Sequence, residues 1–140
     1  MHQTATRTQP YALGAGEGKI VNQGIDFILK ASEIAEGSGS AFLEYVTRQG
    51  EEPPSHTHET EDEMFYVLEG ALTFHCGDQT FDVEKGGFIF LPRGLEHGYT
   101  IRSEEPVRLI VVTAPVREGV RGGRVLPGGW GGFVADMEKR

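Results

Sequence analysis

The sequence predicts a single all-β domain, and three observations point there. Twenty glycines and seven prolines fall within 140 residues, and turns at such short intervals punctuate short strands rather than long helices. Apolar residues come as period-two alternation or as runs of four or five bounded by turn residues, as in Met64–Leu68, Phe88–Leu91 and Leu109–Val112. The connection Gly77-Asp78-Gln79 between two alternating segments has the length and composition of a hairpin turn. A chain of this size holds one domain.

Taken in order, residues 1–13 begin polar and Thr-rich and are expected as a flexible arm. Ile20-Val21 and Ile25–Leu29, separated by Asn22-Gln23-Gly24, predict a first hairpin. Lys30–Ala35 has room for one helical turn before the loop Gly37-Ser38-Gly39-Ser40. Ala41–Arg48 alternates, with Phe42, Glu44, Val46 and Arg48 on one face and Leu43, Tyr45 and Thr47 on the other. The runs at 64–68, 88–91 and 109–112 read as strands buried on both faces. Ala71–Cys76 and Thr80–Val83 flank the Gly77 turn, and Tyr99–Arg102 supplies a further strand before Glu104-Glu105-Pro106. Eight to ten such strands suggest a sandwich or a barrel. Residues 117–140 form a Gly-rich tail carrying Trp130 and Phe133, which either pins the terminus to the body or acts as a lid.

Charge and composition restrict the partners. A net charge of −8 repels phosphate backbones and anionic membranes, which argues against nucleic acid and membrane as partners. The lone Cys76 has no partner for an internal disulfide, and no stretch reads as a cleavable leader or a membrane span, so a cytoplasmic protein is expected.

The chemistry gathers around histidine. His56 and His58 sit two apart, which in extended chain points both imidazoles to one face. Glu63 heads the row Glu63, Phe65, Val67, and His97 follows the tight Pro92-Arg93-Gly94 turn on a different strand. Three neutral imidazoles and one carboxylate suit a divalent first-row metal. Each residue taken singly has another reading: the histidines as solvated loop or surface residues, Glu63 as part of the acidic stretch with Glu59, Glu61 and Asp62.

Spacing joins them. Residues 50–70 carry Gly50, His56, His58, Glu63 and Gly70 as G-x5-H-x-H-x4-E-x6-G, and residues 86–97 carry Gly86, Pro92, Gly94 and His97 as G-x5-P-x-G-x2-H. These resemble the two cupin motifs in order, and most of the chain resembles small single-domain cupins of the quercetin 2,3-dioxygenase-like kind. One departure is Ile101, where the family pattern often ends in Asn. The resemblance implies a jelly-roll β-barrel over residues 14–116 with His56, His58, Glu63 and His97 as metal ligands, and Glu63 also catalytic.

Four protein ligands would close a tetrahedral zinc but leave open positions on a six-coordinate Fe, Mn, Ni or Co ion; Zn completes the set of candidate metals. Lining side chains are expected to be Phe65, Val67, Leu72, Phe74, one of Phe88 or Ile89 and one of Phe90 or Leu91, making a dry pocket for a small aromatic or enolic substrate. The resemblance implies a metal-dependent dioxygenase. The alternatives are an isomerase or polyketide-type cyclase without oxygen chemistry, and a non-catalytic binder of small molecules.

Other residues are assigned as follows. His75 opposes Leu72, Phe74 and Cys76 in parity and is expected outward and structural, and Cys76 a small buried hydrophobe. Tyr45, Tyr66 and Tyr99 are read as strand aromatics whose hydroxyls reach solvent, the alternative being that they present them to substrate. Two-sided apolar strands predict a homodimer through Met64, Tyr66 and Leu68, unless residues 20–29 fold back over that surface.

Overall fold

A computed structural model of the chain describes residues 9–32 and 40–115. Nine strands occur among them: β1 Lys19–Asn22, β2 Asp26–Ala31, β3 Ala41–Thr47, β4 Glu61–Glu69, β5 Ala71–Cys76, β6 Gln79–Glu84, β7 Phe88–Leu91, β8 His97–Ile101 and β9 Val107–Pro115. All pairings are antiparallel, in a six-stranded sheet ordered β1-β2-β3-β9-β4-β7 and a three-stranded sheet ordered β6-β5-β8. This is the expected all-β jelly-roll arrangement.

Period-two patterning decides which residues the sheets enclose. On β3 the buried set is Ala41, Leu43, Tyr45 and Thr47, and on β4 it is Glu61, Glu63, Phe65 and Val67. The facing sheet contributes Leu72, Phe74 and Cys76 from β5 and His97, Tyr99 and Ile101 from β8. Phe65 meets Phe74 across the interior with ring centroids 5.2 Å apart, which places the two sheets face to face. On β7 the choice left open by parity resolves to Ile89 and Leu91 inward, with Phe88 and Phe90 outward.

Turn chemistry fits the connections. Gly77 takes φ +61° in the two-residue turn between Cys76 and Gln79, which face each other as a pair. Gly70, between β4 and β5, takes φ +95°, and a Cβ there would lie 2.4 Å from Val107 Cγ1, so both backbone and space demand glycine.

Three expectations need correction. Lys30 and Ala31 continue β2 rather than starting a helical turn, because they pair against β3 through a bulge. The runs at 64–68, 88–91 and 109–112 are buried on one face only: Tyr66, Phe88 and Phe90 are 43%, 58% and 48% exposed. Residues 19–31 do not cover that outer face; they extend the sheet at its edge, beside β3. The tail at 117–140 and the first eight residues of the arm lie outside the described residues, while Tyr11 donates its hydroxyl to the Lys30 carbonyl.

Candidate metal centre

The loop between β3 and β4 carries His56 and His58, and several bonds fix it. Glu51 accepts from Thr47 Oγ1 and from the Arg48 amide, and Glu52 accepts from the amides of Gly50 and Ile101. His56 and His97 exchange both backbone hydrogen bonds as an isolated antiparallel bridge, at 3.0 and 2.9 Å. The Gly94 amide donates to the His58 carbonyl, and the Arg93 amide to Asp62. The two motifs are therefore bound to each other by main chain, and their histidines converge as a consequence. Ile101, the departure from the family pattern, packs in the core opposite Leu72 and donates to Glu52.

A second restraint comes from His75. It lies on the face of β5 opposite Phe74, as parity predicts, and its Nε2 is 2.7 Å from Ser55 Oγ, beside the His56 loop. Gly98 pairs with His75 and has no room for a side chain: a Cβ would lie 2.7 Å from His75 Cε1 and 2.8 Å from Ser55 Oγ.

The structure brings together all four residues singled out by spacing. One potential ligand atom from each of His56, His58, Glu63 and His97 lies within 4.8 Å of the others. Ring centroids of His56 stand 4.7 Å from those of both His58 and His97. His56 directs Nδ1 to the Pro54 carbonyl at 2.9 Å, which fixes the proton there and leaves Nε2 free to act as an acceptor or ligand. Glu63 Oε1 is 2.8 Å from His97 Nε2 and 3.8 Å from His58 Nε2.

The electrostatics suit a cation. Glu63 is 1% exposed, and neither of its carboxylate oxygens, nor His97 Nε2, has a hydrogen bond of acceptable geometry. Burial pushes the Glu63 carboxyl up to about 8, opposed by the charge of His56. Burial lowers His58 to about 4, reinforced by His56 and His97, and also lowers His97, opposed by the Leu95 backbone. Both members of the 2.8 Å contact are thereby driven to their neutral forms, so it is not an ion pair despite its length. A divalent ion between them reverses this, favouring carboxylate and neutral imidazole together. Three imidazoles and one carboxylate, preorganised and with buried polar atoms lacking partners, fit a first-row divalent metal.

Beside the cluster opens a cavity of about 690 Å³, with Ile25, Phe27, Pro53 and Pro54 among its apolar walls and His56 and His58 at its base. Phe65, Phe74 and Leu91 instead border a small enclosed space between the cluster and the core, and Val67 and Leu72 belong to the core. The expected lining was thus right about inward direction but too deep, since the cavity opens through β2 and the loop before β4.

One inward residue, Glu61, was not singled out as a site residue, and two tyrosines depart from the expectation that their hydroxyls reach solvent. Glu61 is buried two positions before Glu63 on the same face, a placement already implied by the parity of β4. Tyr45 and Tyr99 do not reach solvent; their hydroxyls meet 3.1 Å apart in the interior. No local signal could announce that meeting, because it joins two sheets.

Comparison with known proteins agrees with this geometry. A family model described as the cupin domain matches residues 43–113. The quercetin 2,3-dioxygenase of Bacillus subtilis (strain 168) is 28% identical over 96 residues, covering 67% of this chain and 28% of that protein. The tetracenomycin polyketide synthase protein TcmJ of Streptomyces glaucescens is 27% identical over 81 residues, covering 57% of this chain and 54% of that protein. The chain thus spans less than two thirds of the length of these relatives. Among solved structures, the cupin domain of Schizosaccharomyces pombe Cnp3 superposes with a TM-score of 0.60 at 23% identity, covering 68% of this chain and 67% of that one. A family model spanning 71 residues that include all four clustered side chains, on a two-sheet antiparallel fold, places the chain in the cupin family.

Proposed function

We propose that this cupin is a metal-dependent enzyme, a dioxygenase acting on a small aromatic or enolic molecule of the flavonol, catechol or diketone kind. The observation that carries the reading is a cavity of drug-like size with apolar walls that reaches His56 and His58, two members of a cluster of three imidazoles and one carboxylate. His56, His58, Glu63 and His97 would hold one divalent Fe, Mn, Ni, Co or Zn ion. Such an ion supplies Lewis acidity toward a substrate oxygen and, where redox-active, access to oxygen chemistry.

The protein's own groups do the rest. The apolar walls exclude water and orient a flat substrate, which strengthens every polar contact inside. Glu63 would serve as the proton acceptor for the substrate hydroxyl at a carboxylate oxygen, the bound ion offsetting the burial that alone holds its carboxyl at about 8. The Pro54 carbonyl keeps the His56 proton on Nδ1.

A second reading is a metal-dependent isomerase or polyketide-type cyclase, in which the same groups move a proton without oxygen. The likeness to TcmJ, and to the polyketide synthase CurC of Streptomyces cyaneus at 24% identity, favours it. We further propose a cytoplasmic homodimer of a single barrel over residues 14–116. The outer-face row Phe42, Val112, Met64 and Phe90, set side by side by strand register, supports the dimer, and a buried lone thiol at Cys76 fits a reducing compartment.

The test is oxygen uptake by protein loaded in turn with Fe, Mn, Ni and Co, against flavonols, catechols and β-diketones. Uptake lost in Glu63→Gln and His97→Ala establishes the dioxygenase. No uptake with stoichiometric metal, but product formed anaerobically, establishes the second reading; no product under either condition leaves a binder. Light scattering at micromolar concentration tests the dimer, and a monomer contradicts it.

A further inference from the structure

Tyr45 on β3 and Tyr99 on β8 reach the same point from opposite sheets, and their hydroxyls lie 3.1 Å apart. Both residues line the cavity of about 690 Å³ and also the small enclosed space bounded by His56, Glu63 and His97. The pair is therefore the seam between the ligand cluster and the larger cavity. Two phenols carry two O–H donors, and their mutual bond uses one. Neither hydroxyl has another partner among the described residues, so one buried donor is left to be satisfied by something entering the cavity. Phe27 braces the Tyr45 ring at 4.8 Å, and Phe74 and Phe65 flank Tyr99 at 5.5 and 6.0 Å, so the hydroxyls are held rather than searching.

We propose that the Tyr45–Tyr99 pair is a hydrogen-bond donor for a second oxygen of the substrate, the first oxygen facing His56, His58, Glu63 and His97. The cavity then selects flat, largely apolar molecules that bear two oxygens, and discriminates against those with one. A site built to donate to an acceptor leaves its own donor buried and unpaired when that acceptor is missing, which makes such discrimination strong. Mutual hydrogen bonding polarises the donating hydroxyl, so the two phenols act as a unit rather than independently. The inference rests on the reading that the cavity takes an oxygen-bearing aromatic.

The experiment measures binding of 4-nitrocatechol and 4-nitrophenol to the cobalt-loaded protein by absorbance, in wild type, Tyr45→Phe, Tyr99→Phe and the double variant. Metal content and thermal unfolding are recorded for each. The expected result is a loss of about tenfold in 4-nitrocatechol affinity in the worse single variant. The double variant loses little more, and 4-nitrophenol affinity stays within about twofold, as expected if both phenols serve one bond. Unchanged 4-nitrocatechol affinity in the double variant at full metal content overturns the inference and leaves the metal site standing. Loss of metal or of folding together with the dye makes the pair a structural prop and overturns the inference too. Failure of metal-loaded wild type to bind 4-nitrocatechol overturns the reading of the cavity, and the inference with it.

Discussion

The two ends of the interior are made by the same strands from opposite chemistry. Along β4 the inward row runs Glu61, Glu63, Phe65, Val67, and along β8 it runs His97, Tyr99, Ile101. One end is thus a nest of titratable groups, and the other a packed hydrocarbon core with Leu72, Leu109 and Val107 fully enclosed. The apolar end stabilises the fold, at about 1.5–3 kcal/mol for each large side chain taken out of water. The polar end opposes it, because burying a carboxyl without partners is unfavourable, a cost that a bound cation would offset. The lesson is a division of labour: apolar residues at one end hold in place groups that would not stay together by themselves.

Substitutions break that comparison in a predicted order. The largest effect on stability belongs to the apolar end, where Phe74→Ala is expected to cost about 3–5 kcal/mol, read by chemical denaturation, with the metal-free and metal-loaded forms shifted alike.

Glu63→Gln should do the reverse. Because its carboxyl is held at about 8 against an ordinary 4.5, the folded protein binds this proton more tightly than the unfolded chain. That contribution is fully present below about pH 4.5 and is lost as pH rises through 8. The metal-free variant is therefore more stable than wild type at pH 9, while its metal affinity falls by tenfold or more, on the order of other losses within a metal site. Thermal unfolding across pH, with and without metal, checks both halves.

Gly98→Ala intrudes on the Ser55–His75 contact that backs the His56 loop. Metal affinity should drop about tenfold, as for other groups that orient ligands, while His75→Gln, which can still meet Ser55, retains most of it. A chelator competition assay separates the two.

The smallest effect is expected on the outer face. Tyr66→Ser leaves monomer stability within about 0.5 kcal/mol, since Tyr66 is 43% exposed, and shifts only the association equilibrium seen by sedimentation.

How much of this was legible in the sequence follows the same division. Alternation in β3, β4 and β5 determined which side chains turn inward, and the glycine-punctuated motifs identified the four residues that the fold gathers, because both are local in the chain. The Tyr45–Tyr99 contact was not legible, since it depends on how two sheets stack and on no spacing along either strand. Glu61 was legible by parity but hidden among acidic neighbours that do face out, Glu59 being exposed and Asp62 half-buried. The outer face misled for a related reason: apolar residues there read as buried, whereas Phe88 and Phe90 remain about half exposed among the described residues. Nor did the sequence show that Glu52 and His75 hold the ligand loop, because both act on residues far along the chain.

The most direct test is metal content after dialysis against each of the five candidate ions, measured for wild type, His97→Ala and Glu63→Gln at equal folded concentration. The account predicts one tightly held ion per chain in wild type and a marked loss in both variants. Substoichiometric binding by folded wild type with every ion, or equal content in all three proteins, would contradict it.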